Sequence, residues 1–95
     1  MRREKIVITG LGAVAPNGNN VNDYWSNLIA GVSGIGPITY FDPSNHRVKI
    51  AGQLTDFSPE SVIDVKEIRK LDPFSVYALA ATHEAMIMSG LDSNT

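Results

Sequence analysis

The sequence predicts an α/β chain, and three observations carry that prediction. A β-branched apolar run from Lys5 to Thr9 ends in a glycine turn, a second segment from Arg47 to Leu54 alternates in polarity, and helices with their own start and stop residues lie between and after them. Hydrophobic residues make up 43% and charged residues 19% of the 95 positions, a balance that suits a packed chain and excludes a disordered one.

Each element has a local reason. Ile6, Val7 and Ile8 suit a buried strand, which Gly10 ends. The loop after it holds Gly12, Pro16 and Asn17-Gly18-Asn19-Asn20, and no helix can run through it. Asn20 or Asn22 can cap a helix carrying Tyr24, Trp25, Leu28 and Ile29 as one apolar stripe, with Gly31 placed to close it. Gly31 to Pro43 reads as a long ordered loop, because Gly31, Gly34, Gly36, Pro37 and Pro43 punctuate it. Beyond it, Val48, Ile50 and Gly52 take one side of a half-exposed or edge strand, and Arg47, Lys49, Ala51 and Gln53 take the other, with Arg47 and Lys49 facing water.

Ser58-Pro59-Glu60 predicts a short helix towards Asp64, followed by a basic turn from Lys66 to Lys70. Asp72-Pro73 opens a longer helix and Gly90 closes it, a length of about 25 Å at 1.5 Å per residue. Between Phe74 and Met88 the polar positions are Ser75, Thr82, His83 and Glu84, while Ala78, Ala80, Ala81 and Ala85 would let another backbone approach closely. Such a helix is expected to be buried nearly all round. Two candidate strands and two short helices cannot cover it, and Leu91 to Thr95 is turn chemistry, so the chain is expected to continue into a larger protein.

A net charge of -2 argues against a nucleic-acid or membrane-surface protein, both of which need a broad basic face. With no cysteine there is no disulfide, thiolate nucleophile or Cys-bound zinc, and His46 and His83 alone do not suggest a metal site. No cofactor is expected. His83 is read as a buried, hydrogen-bonded structural residue and His46 as a solvated loop residue. Only Ile6, Val7 and Ile8 follow the charged start, short of the roughly 7 apolar residues of the smallest signal-peptide core, so a cytoplasmic protein without a membrane span is expected.

Gly10-Leu11-Gly12-Ala13-Val14-Ala15 matches the G-x-G-x-x-A fingerprint of dinucleotide-binding folds. Pro16 and Asn17-Gly18 interrupt the helix that should open there, and no acidic residue follows at the ribose-binding distance, so a tight glycine turn is the preferred reading. Lys66, Arg69 and Lys70 recur at i, i+3 and i+4 and share one helical face, with Ile68 turned elsewhere. Such a cluster can steer an acidic partner or hold a phosphate, although spacing alone favours a solvated face balanced by Glu67 and Asp72.

Taken in order, these motifs form a wider pattern. The strand into Thr9-Gly10-Leu11-Gly12, then Pro16, Gly18, Trp25, Leu28, Gly31, Ser33-Gly34-Ile35, Phe41-Asp42, Ala51-Gly52, Asp56-Phe57 and Lys66-Glu67-Ile68-Arg69-Lys70-Leu71-Asp72 resembles the N-terminal portion of the β-ketoacyl-[acyl carrier protein] synthases. The resemblance runs over residues 3 to 92, and Phe41-Asp42 with the stretch from Ala51 to Phe57 is most similar to the type II elongating enzyme of bacterial fatty-acid synthesis.

The resemblance implies a thiolase-like fold of five layers, αβαβα, of which residues 1–95 are the N-terminal portion, in a cytoplasmic homodimer. It implies an acyltransferase that moves an acyl chain from acyl carrier protein to a cysteine and then condenses it with decarboxylated malonyl-carrier protein. The family's cysteine and two histidines lie beyond the matched stretch, so this chain alone is expected to be inactive and none of its residues is assigned to catalysis. The partners implied are acyl carrier protein and acyl and malonyl thioesters. The matching basic positions, Lys66, Arg69 and Lys70, meet acidic residues of the carrier protein in the family, which turns their reading from a solvated face to a docking face. The alternatives are a polyketide ketosynthase or chain-length-factor subunit and, from another class, the N-terminus of a dinucleotide-binding oxidoreductase.

Overall fold

The computed structural model describes residues 3–54 and 56–91. The start at Met1-Arg2, Thr55 and the turn expected over residues 92–95 lie outside the described residues. The elements run in the order α1 (Val21–Ala30), β1 (Ile35–Pro37), β2 (Ile50–Gly52), a 3-10 turn (Pro59–Ser61), α2 (Val65–Ile68) and α3 (Pro73–Ser89).

The helix ends follow their capping chemistry. Asn20 caps α1, its side-chain oxygen accepting the Asp23 N–H at 2.8 Å, and Gly31 closes it in the left-handed conformation at φ 74°. Pro73 occupies the first turn of α3 after Asp72, whose side chain makes no capping hydrogen bond, and Gly90 ends the helix, also at φ 74°. The helix expected from Ser58 is a single 3-10 turn, and Asp64 caps the next element instead, its carboxylate accepting the Lys66 N–H at 3.1 Å.

The segment from Gly10 to Ala13 runs antiparallel along α3 in direct backbone contact. A Cβ on Gly10 would overlap the Ala85 carbonyl oxygen, and one on Gly12 would overlap that of Ala81, so both positions accept only glycine without displacement. Ala81 and Ala85 are two of the small residues expected to admit a backbone. Between the glycines, the Leu11 N–H meets the Met88 Sδ at 3.3 Å. Glu84 then fixes the end of the segment: its Oε1 accepts the Ala13 N–H at 3.0 Å, and its Oε2 accepts the N–H of Val21, the first residue of α1, also at 3.0 Å. A carboxylate at the positive end of α1 satisfies a backbone donor that the helix itself leaves open. The loop between these anchors closes on itself through paired Ala15 and Gly18 hydrogen bonds.

Several expectations are corrected. Lys5 to Thr9 is not a buried strand: no described segment pairs with it, and Ile6 and Ile8 are 96% and 82% exposed. A strand exists only as part of a ladder, so its residue types alone do not make one. The stretch from Gly31 to Pro43 is not all loop, because Ile35–Pro37 pairs antiparallel with Ile50–Gly52 in the register Ile35↔Gly52, Gly36↔Ala51, Pro37↔Ile50. Arg47 and Lys49 face water as expected, but the other positions of β2 are reversed. Val48 and Ile50 are exposed, whereas Ala51 and Gln53 turn towards the body, where the Gln53 Oε1 accepts the Thr39 and Tyr40 N–H groups and its Nε2 donates to the Pro37 carbonyl. The apolar stripe of α1 faces out, with Trp25, Leu28 and Ile29 exposed, and Val21, Tyr24 and Asn27 form the half-buried side.

α3 is not covered all round. Its fully buried apolar residue among those described is Val76, at 3% exposure, while Phe74, Leu79, Ile87 and Met88 stand open. The radius of gyration, 16.9 Å, exceeds the roughly 13 Å of a compact domain of about 100 residues, in keeping with these open faces.

The glycine contact is testable. Gly12→Ala should lower unfolding free energy by about 1–3 kcal/mol, because the α3 backbone must move to admit the methyl group. Gly36→Ala, where a Cβ meets nothing within 4 Å, should stay within about 0.5 kcal/mol. Denaturant unfolding of both variants checks this, and equal losses would refute the close-approach account.

Candidate functional site

The basic segment is mounted on a small apolar cluster. α2 has four residues and continues helically through Arg69, at φ -65° and ψ -23°, into the turn that ends at Leu71. Ile68 is half-buried and, as expected, faces away from the cations. It shares a cleft of about 380 Å³ with Tyr40, Phe57, Leu71, Val76 and Tyr77. Phe57 and Tyr77 meet edge to face at 5.5 Å, and the Tyr40 hydroxyl donates to the Leu54 carbonyl at 2.6 Å.

Lys66, Arg69 and Lys70 are all exposed, so the structure brings the three predicted residues together on one short surface element. Within that element Glu67 faces Lys70, Oε1 to Nζ, at 3.9 Å, and it is the salt bridge found among the described residues. Arg69 and Lys70 also lie at the C-terminal end of α2, where the helix dipole favours positive charge. The arrangement presents three exposed cations on one short helical element, with the exposed carboxylates of Asp64, Glu67 and Asp72 in the same stretch.

No reacting group accompanies it. His46 lies in the loop expected of it, its ring edge-on to Phe41 at 5.3 Å. His83 is not buried but exposed, at the rim of an open cleft of about 620 Å³ that also touches Asn19, Phe57, Val62 and Ile87. The reason is local: the face of α3 that carries His83 has no covering layer, whereas the neighbouring Ala81, Glu84 and Ala85 lie under the glycine segment. No group of three or more potential metal-ligating side chains occurs among the described residues. The glycine fingerprint binds no helix N-terminus either, since α1 begins only at Val21 and Gly10 and Gly12 are spent on α3.

Sequence reasoning missed two polar residues that organise these surroundings, Glu84 and Gln53. Glu84 did carry a signal, a carboxylate with no cation near it on an otherwise apolar helix. Gln53 carried none beyond its place in an alternating strand.

The chain as a whole belongs to a known class of protein. Residues 3–95 match the family described as "Beta-ketoacyl synthase, N-terminal domain", and the chain belongs to that family. Its fold is the N-terminal part of a thiolase-like α/β fold. Among curated relatives, it is 47% identical over 94 residues to "3-oxoacyl-[acyl-carrier-protein] synthase 2" of Coxiella burnetii, covering 99% of this chain and 23% of that protein. The proteins of the same name from Staphylococcus aureus and Synechocystis are 43% and 40% identical, covering 98% and 90% of this chain and 22% and 21% of theirs. A solved structure, "The ishigamide ketosynthase/chain length factor", superposes with a TM-score of 0.83 at 33% identity, over 93% of this chain and 22% of that one. The chain thus spans less than a quarter of the length of the relatives it matches.

The aromatic cluster beneath α2 has a titratable consequence. Burial first, then the neighbouring Tyr40 charge and hydrogen bond, push the Tyr77 phenol above its usual value of 10.0. A raised folded-state value means that the neutral phenol is favoured; its stabilisation is present below pH 10.0 and is lost as pH rises through the raised value. Unfolding followed as pH rises through and above 10.0 should therefore show a steeper loss for the wild type than for Tyr77→Phe. Parallel curves would exclude Tyr77 as the group responsible.

Proposed function

We propose that this chain is the N-terminal portion of a β-ketoacyl-[acyl carrier protein] synthase II, which lengthens an acyl chain in fatty-acid synthesis. Its identity of 40–47% to relatives named 3-oxoacyl-[acyl-carrier-protein] synthase 2, over at least 90% of its residues, is the observation that carries this reading. In the reaction, the acyl group passes from carrier-protein thiol to enzyme thiol. Malonyl thioester then loses carbon dioxide, and the resulting carbanion attacks the acyl thioester to expel the enzyme thiolate. With no cysteine, this chain supplies no such thiol, and by itself it is inactive in this reading.

Its own contribution is recognition. Lys66, Arg69 and Lys70 form the docking face for acyl carrier protein, the acidic partner that delivers both thioesters. Their exposure, helical spacing and mounting on Ile68 support that role. No helix among the described residues is long and apolar enough to cross a membrane, and a cytoplasmic homodimer is part of the same reading.

A second reading, a polyketide ketosynthase or chain-length-factor subunit, is favoured by the likeness to the ishigamide protein. Condensation of acyl- with malonyl-carrier protein by the whole protein separates the two: long fatty acyl substrates turned over by a single subunit favour the synthase, and activity that needs a second, different subunit favours the other.

For the docking face, Arg69→Glu in the whole protein should raise KM for carrier-bound substrates about tenfold at low salt, with the effect shrinking as salt rises. Steady-state constants equal to wild type would remove Arg69 from the interface.

A further inference from the structure

The docking ridge carries its own opposing charge. Along α2 and the turn after it, Lys66, Arg69 and Lys70 stand with Glu67 among them, and all four are exposed. Glu67 lies 3.9 Å from the Lys70 Nζ, whereas neither Lys66 nor Arg69 forms a salt bridge among the described residues. An exposed pair of this kind, one helical turn apart, contributes little to stability, about 0–1 kcal/mol at most. Glu67 is also the acidic residue in the first turn of α2, where a carboxylate favours the helix N-terminus, a modest local contribution that still leaves its charge exposed on the ridge. Its effect on an approaching acidic partner is larger in kind, because it partly neutralises one of three cations and also presents a like charge to the partner.

We infer that Glu67 is an affinity-setting residue of the docking ridge: by masking Lys70 and repelling an acidic partner, it keeps the complex with the carrier protein weak enough to exchange quickly. The inference rests on the docking role proposed above. Its logic is that of a surface visited twice in each reaction cycle, once by the acyl donor and once by the malonyl donor. Each spent carrier protein must leave before the next arrives, so tight binding would slow the cycle. A carboxylate inside the cationic ridge preserves electrostatic steering at long range while lowering residence at contact. Lys66 and Arg69 supply the steering, and Lys70 is the cation that Glu67 holds back.

The test is equilibrium and kinetic binding of purified acyl carrier protein to the whole protein, at low and high salt, for wild type, Glu67→Gln, Glu67→Lys and Arg69→Glu. Glu67→Gln should bind about three- to tenfold more tightly at low ionic strength, with a slower dissociation rate, and Glu67→Lys more tightly still. Both gains should fade in high salt. Unchanged affinity in the Glu67 variants would overturn the inference, and so would weaker binding, which would mean that Glu67 holds Lys70 in a docking pose rather than masking it. The Arg69→Glu arm separates the two levels of argument. If it binds as wild type, the docking reading itself fails; if it binds weakly while Glu67→Gln is neutral, the docking face stands and only the role of Glu67 is lost.

Discussion

The close approach of the glycine segment to α3 is the contact on which the rest of the described structure depends. Backbone meets backbone where Gly10 and Gly12 lie against the Ala85 and Ala81 carbonyls, with no side chain between them. That proximity brings Ala13 within reach of Glu84, and Glu84 in turn reaches the first amide of α1. One carboxylate therefore fixes a loop and a helix to a third element, through charge-assisted hydrogen bonds stronger than neutral ones. Enlarging a glycine or removing the carboxylate would loosen the same unit from opposite sides.

A second cluster, at the N-terminal end of α3, holds the chain beyond β2. Val76 is buried among Tyr40, Phe57, Ile68 and Leu71, so the hairpin loop, the 56–58 stretch and α2 converge on one helical turn. α2 has only four helical residues and could not persist alone, since an isolated turn fixes too many dihedrals for too few hydrogen bonds. Its Asp64 cap and its Ile68 anchor offset that deficit. Three long, exposed cationic side chains therefore project from an element anchored through Ile68.

The two clusters leave much of α3 and all of the extended Ile6 to Ile8 segment open. In a thiolase-like fold, apolar faces of this kind belong to layers that cover one another. The basic patch is different in chemistry: it is exposed and charged, with Glu67 paired to Lys70 within it.

The ends of α1 and α3 were legible in the sequence because each is decided by chemistry within a few residues. Asn20, Gly31, Asp72-Pro73 and Gly90 satisfy or release backbone groups locally, and the helices begin and end where they stand. The grouping of Lys66, Arg69 and Lys70 was legible for the same reason, being a matter of helical spacing. The β1 and β2 pairing, the inward turn of Gln53, the exposure of His83 and the task of Glu84 were not, since each depends on which distant segment arrives beside it. Ile6 to Ile8 makes the distinction plainest: its residues encode the preference for a strand, but only a neighbouring strand can supply the hydrogen bonds that make one. The sequence by itself determined the local turns, caps and charge spacing of this protein, and the tertiary structure alone decided which faces are covered, because burial is a property of two surfaces and not of one.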